Sequence, residues 1–151
     1  MAQQLNNSKQ MLFNLFPRDK LYVRVHTNAM EVTNLRNNRT IYRESTRKFS
    51  IDRLPIADFF VAEQHLKQII AELREPGWIK PSIDFLMQFA VNLDGGISAV
   101  EKKTLREMGE YSGGVTVFIA PYAQKLTDEQ ALQKLLLGLK GKSFMPPDLV
   151  T

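Results

Sequence analysis

The spacing of apolar positions changes partway along this chain, and the change separates two styles of structure. Leu21, Val23 and Val25 alternate with Tyr22, Arg24 and His26, which predicts a half-buried strand over Leu21 to Thr27. Glu31 to Leu35 and Arg39 to Glu44 read as two further short strands. Asn37-Asn38 between them suits a tight turn, because asparagine tolerates positive φ at little cost. Three strands so closely joined predict an antiparallel meander.

Beyond the meander the period becomes helical. Leu66, Ile69, Ile70 and Leu73 recur at i, i+3, i+4 and i+7, and Phe59 and Ala62 extend the stripe backwards. This predicts an amphipathic helix from Asp58 to Glu75, stopped by Pro76-Gly77. Ile83 to Val91 is apolar at most positions, as a strand covered on both faces would be. Ser98-Ala-Val-Glu101 has the form of a capping box, in which serine meets a free backbone N–H and glutamate reaches back. The helix behind it, to Tyr111, carries Val100, Leu105 and Met108 and closes near Gly113-Gly114. Val115 to Ile119 is another short strand. Thr127-Asp-Glu-Gln130 is a second capping box, opening a helix with Leu132, Leu135, Leu136 and Leu139 on one face and Gly141 as its C-cap.

The element order is therefore β-β-β-α-β-α-β-α. Crossovers through helices should set the last two strands parallel to the first. The expected fold class is α/β and ribonuclease-H-like, a five-stranded mixed sheet of the kind that forms one half-domain of actin-type ATPases. A single domain is expected over residues 21–141, between a flexible or weakly apolar N-terminal arm, 1–20, and a loose tail, 142–151.

The chain has 151 residues, 44% hydrophobic and 24% charged, enough for one domain with one core. It has no cysteine, which excludes disulfides and thiolate catalysis and fits a cytoplasmic protein. No apolar run reaches the roughly 20 residues of a membrane-spanning helix, and the start lacks the apolar core of a secretory signal. A net charge of +4 permits an anionic partner without requiring one. From Arg18 to Arg53 there are nine Lys/Arg against four acids. Counted on strands, Arg24, Arg39, Arg43, Arg47 and Lys48 point outward, either toward an anionic partner or simply into solvent along a protected sheet edge. No aromatic stacking platform accompanies them, so nucleic acid is the lesser alternative. Met11, Leu12, Phe13, Leu15 and Phe16 lie between Lys9 and the Arg18/Lys20 pair, a pattern that fits either a weak membrane contact at the inner face or an arm folded onto the core.

Catalytic chemistry finds little material. A nuclease on this fold needs carboxylates clustered on the sheet to hold metals, yet Arg24 stands on the first strand and Asp84 near the start of its own. Asp94 beside Gly95-Gly96 reads as a turn, and those glycines lack the Gly-x-x-x-x-Gly-Lys pattern of a phosphate loop. His26 and His65 fall on different elements without paired ligands. Neither metal nor cofactor is expected, and the chain reads as non-enzymatic.

Three segments resemble the bacterial actins of the MreB/Mbl family. Ile56-Ala-Asp-Phe-Phe-Val-Ala-Glu63 is similar to the entry into the first long helix of that family's domain I. Lys80-Pro81-Ser82 precedes a strand as it does there. Ile97-Ser-Ala-Val-Glu-Lys-Lys-Thr-Leu-Arg-Glu107 resembles a Thr-x-Val-Glu-Arg-Arg-x-x-Arg-Glu helix. Met11 to Phe16 resembles the short apolar N-terminal segment, and the resemblance runs from about residue 11 to residue 123.

The departures fall on the nucleotide site. Where the family carries Asp-x-Gly-Thr after its first strand, Arg24 stands at the aspartate and His26 at the glycine, and only Thr27 matches. The later Glu-Glu-Pro becomes Ile119-Ala120-Pro121. A short link from Ser45 to Leu54 replaces an inserted subdomain, and nothing corresponds to the second large domain. The resemblance thus implies a truncated actin with a degenerate phosphate loop and no bound nucleotide, acting in cell shape or membrane-associated assembly through protein contacts. It further implies a lateral contact on the first long helix, where Glu63, Lys67, Ile70 and Arg74 follow one another at i, i+4, i+7 and i+11. The expected partner there is a second copy of the chain or a bacterial actin filament.

Overall fold

The computed structural model describes residues 18–74, 76–77 and 80–141. Met11, Leu12, Phe13, Leu15, Phe16, Glu75 and the 142–151 tail lie outside the described residues.

The chain begins with a meander of β1 (Asp19–His26), β2 (Ala29–Asn34) and β3 (Arg39–Glu44). Then follow α1 (Phe59–Leu73), β4 (Ile83–Phe89), α2 (Ala99–Tyr111), β5 (Gly114–Ala120) and α3 (Asp128–Lys140). The five strands form one sheet in the order β3-β2-β1-β4-β5. The meander pairs are antiparallel, whereas β4 runs parallel to β1 and β5 parallel to β4. The protein is therefore α/β with a five-stranded mixed sheet and three helices among the described residues, in the expected order.

Local chemistry explains the turns and helix starts. Asn28 and Asn38 take the left-handed conformation, at φ 51° and 59°, and close the two hairpins. Asp58 caps α1 by accepting from the Val61 amide. Ser98/Glu101 and Thr127/Gln130 both form complete capping boxes.

The sheet is covered on both faces. Leu21, Val23, Val25, Phe85, Met87 and Ile119 pack with the buried stripe of α1, which includes Leu66, Ile69, Ile70 and Leu73, and with Leu105 and Met108 of α2. On the opposite face Tyr22, Leu86 and Phe118 pack with Leu126, Ala131 and Leu135 in and before α3. Each fully buried leucine or isoleucine contributes about 1.5–3 kcal/mol, so these two layers carry the fold. Two expectations are corrected here. β1 is buried on both faces rather than half-buried, because α3 and the loop before it cover its even positions. Val100 is 74% exposed and takes no part in the core.

Candidate functional site

The α3 face of the sheet holds a row of polar side chains at the carboxyl end of the parallel strands. The strand register sets Tyr42, Glu31, Arg24, Gln88 and Ala120 side by side across all five strands. Gln88 is fully buried, and its carboxamide is saturated. Its Oε1 accepts from the Tyr22 hydroxyl at 2.5 Å and from Arg24 Nε at 3.0 Å. Its Nε2 donates to the carbonyls of Tyr122 at 2.7 Å and Gln124 at 2.9 Å.

These bonds fasten the β5–α3 loop onto the sheet. Arg24 Nη2 donates to the Ala123 carbonyl at 2.8 Å, and the Leu126 amide donates to the Tyr22 hydroxyl at 3.2 Å. Lys125, from the same loop, reaches Glu31 at 2.5 Å. Glu31 also faces His26 at 3.4 Å and Arg24 at 3.7 Å, so one carboxylate gathers three basic side chains. Burial alone pushes the Glu31 carboxyl up. Lys125, His26 and Arg24 outweigh it and hold the group below its ordinary value. Burial dominates at Tyr22 and pushes the phenol up, which keeps it protonated as the donor to Gln88.

A cavity of about 90 Å³ lies beside this row at the ends of β4 and β5, between Phe89, Leu93, Ile97, Pro121 and Tyr122. Small-molecule sites usually occupy about 300–1,000 Å³. At the other end of the same face, Lys20 pairs with the fully buried Asp84 at 2.7 Å and Arg18 approaches it at 3.5 Å. Among the described residues no group of three or more His, Cys, Asp and Glu side chains is placed to hold a metal ion.

The residues singled out in the sequence fare differently. Arg24 was expected to point outward, toward an anionic partner or into solvent. It is only 8% exposed, because even positions of β1 face the layer that α3 and its loop cover. Arg24 and His26 both enter the Glu31 cluster, whereas Thr27 sits exposed on the turn. His65, on α1, is buried, with its Nε2 3.0 Å from the Arg43 carbonyl. On α1, Glu63 and Lys67 form an ion pair at 2.7 Å. Ile70 is 4% exposed and belongs to the core, since the stripe facing the sheet includes its position. Arg74 caps the end of α1, pairs with Asp19 of β1 at 2.9 Å and donates to the Pro81 carbonyl, so it ties the helix to the sheet. The exposed side of α1 is instead Phe60, Gln64 and Gln68. Among the described residues no helix is long and apolar enough to cross a membrane.

Three members of the cluster, Glu31, Gln88 and Lys125, escaped the sequence reading. The available signal was Gln88 itself, one of two polar residues, with Asp84, on a strand whose other positions are apolar.

No family model matches the chain. A search of curated proteins finds similarity to the uncharacterized protein YjaA of Escherichia coli strain K12, 31% identical over 93 residues, covering 58% of this chain and 72% of that protein. This chain belongs to the YjaA family.

Proposed function

We propose that this YjaA-family chain is a non-catalytic interaction protein, related to domain I of bacterial actin and built on a ribonuclease-H-like sheet. The strand order β3-β2-β1-β4-β5, with β2 alone reversed against both neighbours, supports that fold. One observation carries the functional reading. Open α/β sheets take their ligands at the carboxyl ends of the parallel strands, and here that end is filled by the chain's own Arg24 and Gln88 and by the loop they hold. That filling supports a reading without nucleotide chemistry, in which the surface carries the function.

The surface in question is the exposed side of α1. Phe60 is 62% exposed, and Gln64, Gln68 and the Glu63–Lys67 pair lie beside it. A second copy of the chain or a bacterial actin filament would meet this side laterally, in an assembly concerned with cell shape. The alternative of a basic nucleic-acid module loses Arg24, which is committed to the cluster.

The test is size-exclusion chromatography with light scattering, together with co-sedimentation on bacterial actin filaments. The expected result is self-association or pelleting that Phe60→Asp with Lys67→Glu abolishes. A wild-type chain that is monomeric and stays in the supernatant would overturn the reading.

A further inference from the structure

The meander ends in a strand with an open edge. β3 is outermost in the sheet, and its residues alternate between exposed and half-buried positions. The Ser45 amide donates to the Asn28 carbonyl at 2.8 Å, which marks 28/45 as a hydrogen-bonded pair. By alternation the backbone groups of Arg39, Ile41 and Arg43 turn inward to β2, and those of Thr40, Tyr42 and Glu44 turn outward. Three N–H and three C=O groups thus form a template for another strand. Tyr42, 56% exposed, stands in the middle of it.

The edge continues into a groove. Immediately after β3, Ser45, Thr46 and Arg47 face Phe60, Gln64 and Gln68 of α1 across about 340 Å³. The charge of this border is one-sided. Between Arg36 and Arg53 there are six Lys/Arg and two acids, and Arg39, Arg47, Lys48 and Arg53 are exposed. Arg43 is shared with Glu72 of α1 at 2.5 Å.

A second copy is a poor occupant of this edge. A two-fold β3–β3 pair centred on Ile41 sets Arg39 against Arg43 of the second copy, twice. Centred on Tyr42, it still brings two net-positive edges together. We infer that β3 and the adjoining groove accept an extended, acidic segment of a different protein, added as a sixth strand. Backbone pairing with Thr40, Tyr42 and Glu44 supplies affinity. Acidic side chains on the incoming strand meet Arg39, Arg43 and Arg47, and an apolar side chain at its end enters the groove against Phe60. The groove shares Phe60, Gln64 and Gln68 with the α1 side proposed above, but the open backbone groups of β3 are its own and give a readout independent of an actin partner.

The test is selection of a random library of displayed peptides, each about 9 residues long, on the full chain, followed by titration of the winning peptide. The expected winners are acidic and alternating, and bind more weakly as salt rises. On binding, hydrogen exchange should slow at the amides of Thr40, Tyr42 and Glu44 and stay unchanged at Arg39, Ile41 and Arg43. Tyr42→Pro removes one outward N–H and no bond to β2, and should weaken binding by about tenfold or more. Arg39→Glu with Arg47→Glu should do the same without touching the backbone, and covers the case in which the proline variant fails to fold. Failure to enrich any peptide, winners without acidic excess, or protection elsewhere than at those three amides would overturn the inference.

Discussion

Arg24 and Gln88 stand directly opposite each other on neighbouring parallel strands, with Arg24 Nε donating to Gln88 Oε1 at 3.0 Å. A buried guanidinium next to a buried carboxamide is stable only when both find further partners: Tyr22 and Glu31 supply some from the sheet, and the carbonyls of the β5–α3 loop supply the rest. The pair is therefore at once a core element and the fastening of a loop. Gln88→Leu should cost at least about 2 kcal/mol in urea denaturation, because it strands the Tyr22 hydroxyl and the carbonyls of Tyr122 and Gln124. The loss should be accompanied by faster hydrogen exchange at the Lys125 and Leu126 amides, with the exchange of β1 far less affected.

Glu31 makes stability depend on acid. Its folded carboxyl lies below its ordinary value of 4.5, so the unfolded chain takes up a proton first as pH falls. Its contribution is present in full above that value and is lost as pH drops through the lower folded value. In chemical denaturation across pH, Glu31→Gln should be less stable than wild type at neutral pH, and the gap should narrow below about 4.5. A gap independent of pH would mean that the three basic neighbours do not stabilise the charged form.

Lys20 and Asp84 form the second buried pair of the α3 face. Lys20→Met leaves a fully buried carboxylate with Arg18 alone, at 3.5 Å, and should cost about 3–5 kcal/mol by denaturant unfolding. Lys20→Met combined with Asp84→Leu should recover most of that loss, because the uncompensated charge is then gone.

Gly114 is set by steric contact rather than by its backbone angles. A Cβ there would stand 2.7 Å from the Gly109 carbonyl oxygen and 2.7 Å from the Phe85 ring. The backbone oxygen cannot withdraw without disturbing the end of α2. Gly114→Ala should therefore destabilise by about 1–3 kcal/mol, read as a lowered thermal midpoint.

The elements were legible because their signals are local. Capping boxes at Ser98 and Thr127, the asparagine turn before β3 and the stripe at Leu66 to Leu73 each depend on a few neighbouring residues, and each stands where expected. The α3 face was not legible in the same way. Alternation on β1 told that Arg24 points away from Val23 and Val25, but not that α3 and residues 121–127 would cover that side. Spacing on α1 aligned Glu63, Lys67, Ile70 and Arg74 in one direction, yet only the position of the sheet decides which stripe is buried. Ile70 and Arg74 accordingly went to the core and to Asp19. The cluster joins residues more than 60 positions apart, a separation at which periodicity carries no information.

The chain's own Arg24 and Gln88 fill the carboxyl end of the parallel strands, where open α/β sheets take their ligands. Calorimetric titration with Mg-ATP at millimolar concentration shows whether that end is closed to nucleotide. The account predicts no saturable heat and no phosphate release, in wild type and in Phe60→Asp alike. Micromolar binding, or phosphate release lost on changing Arg24 or Gln88, would contradict it.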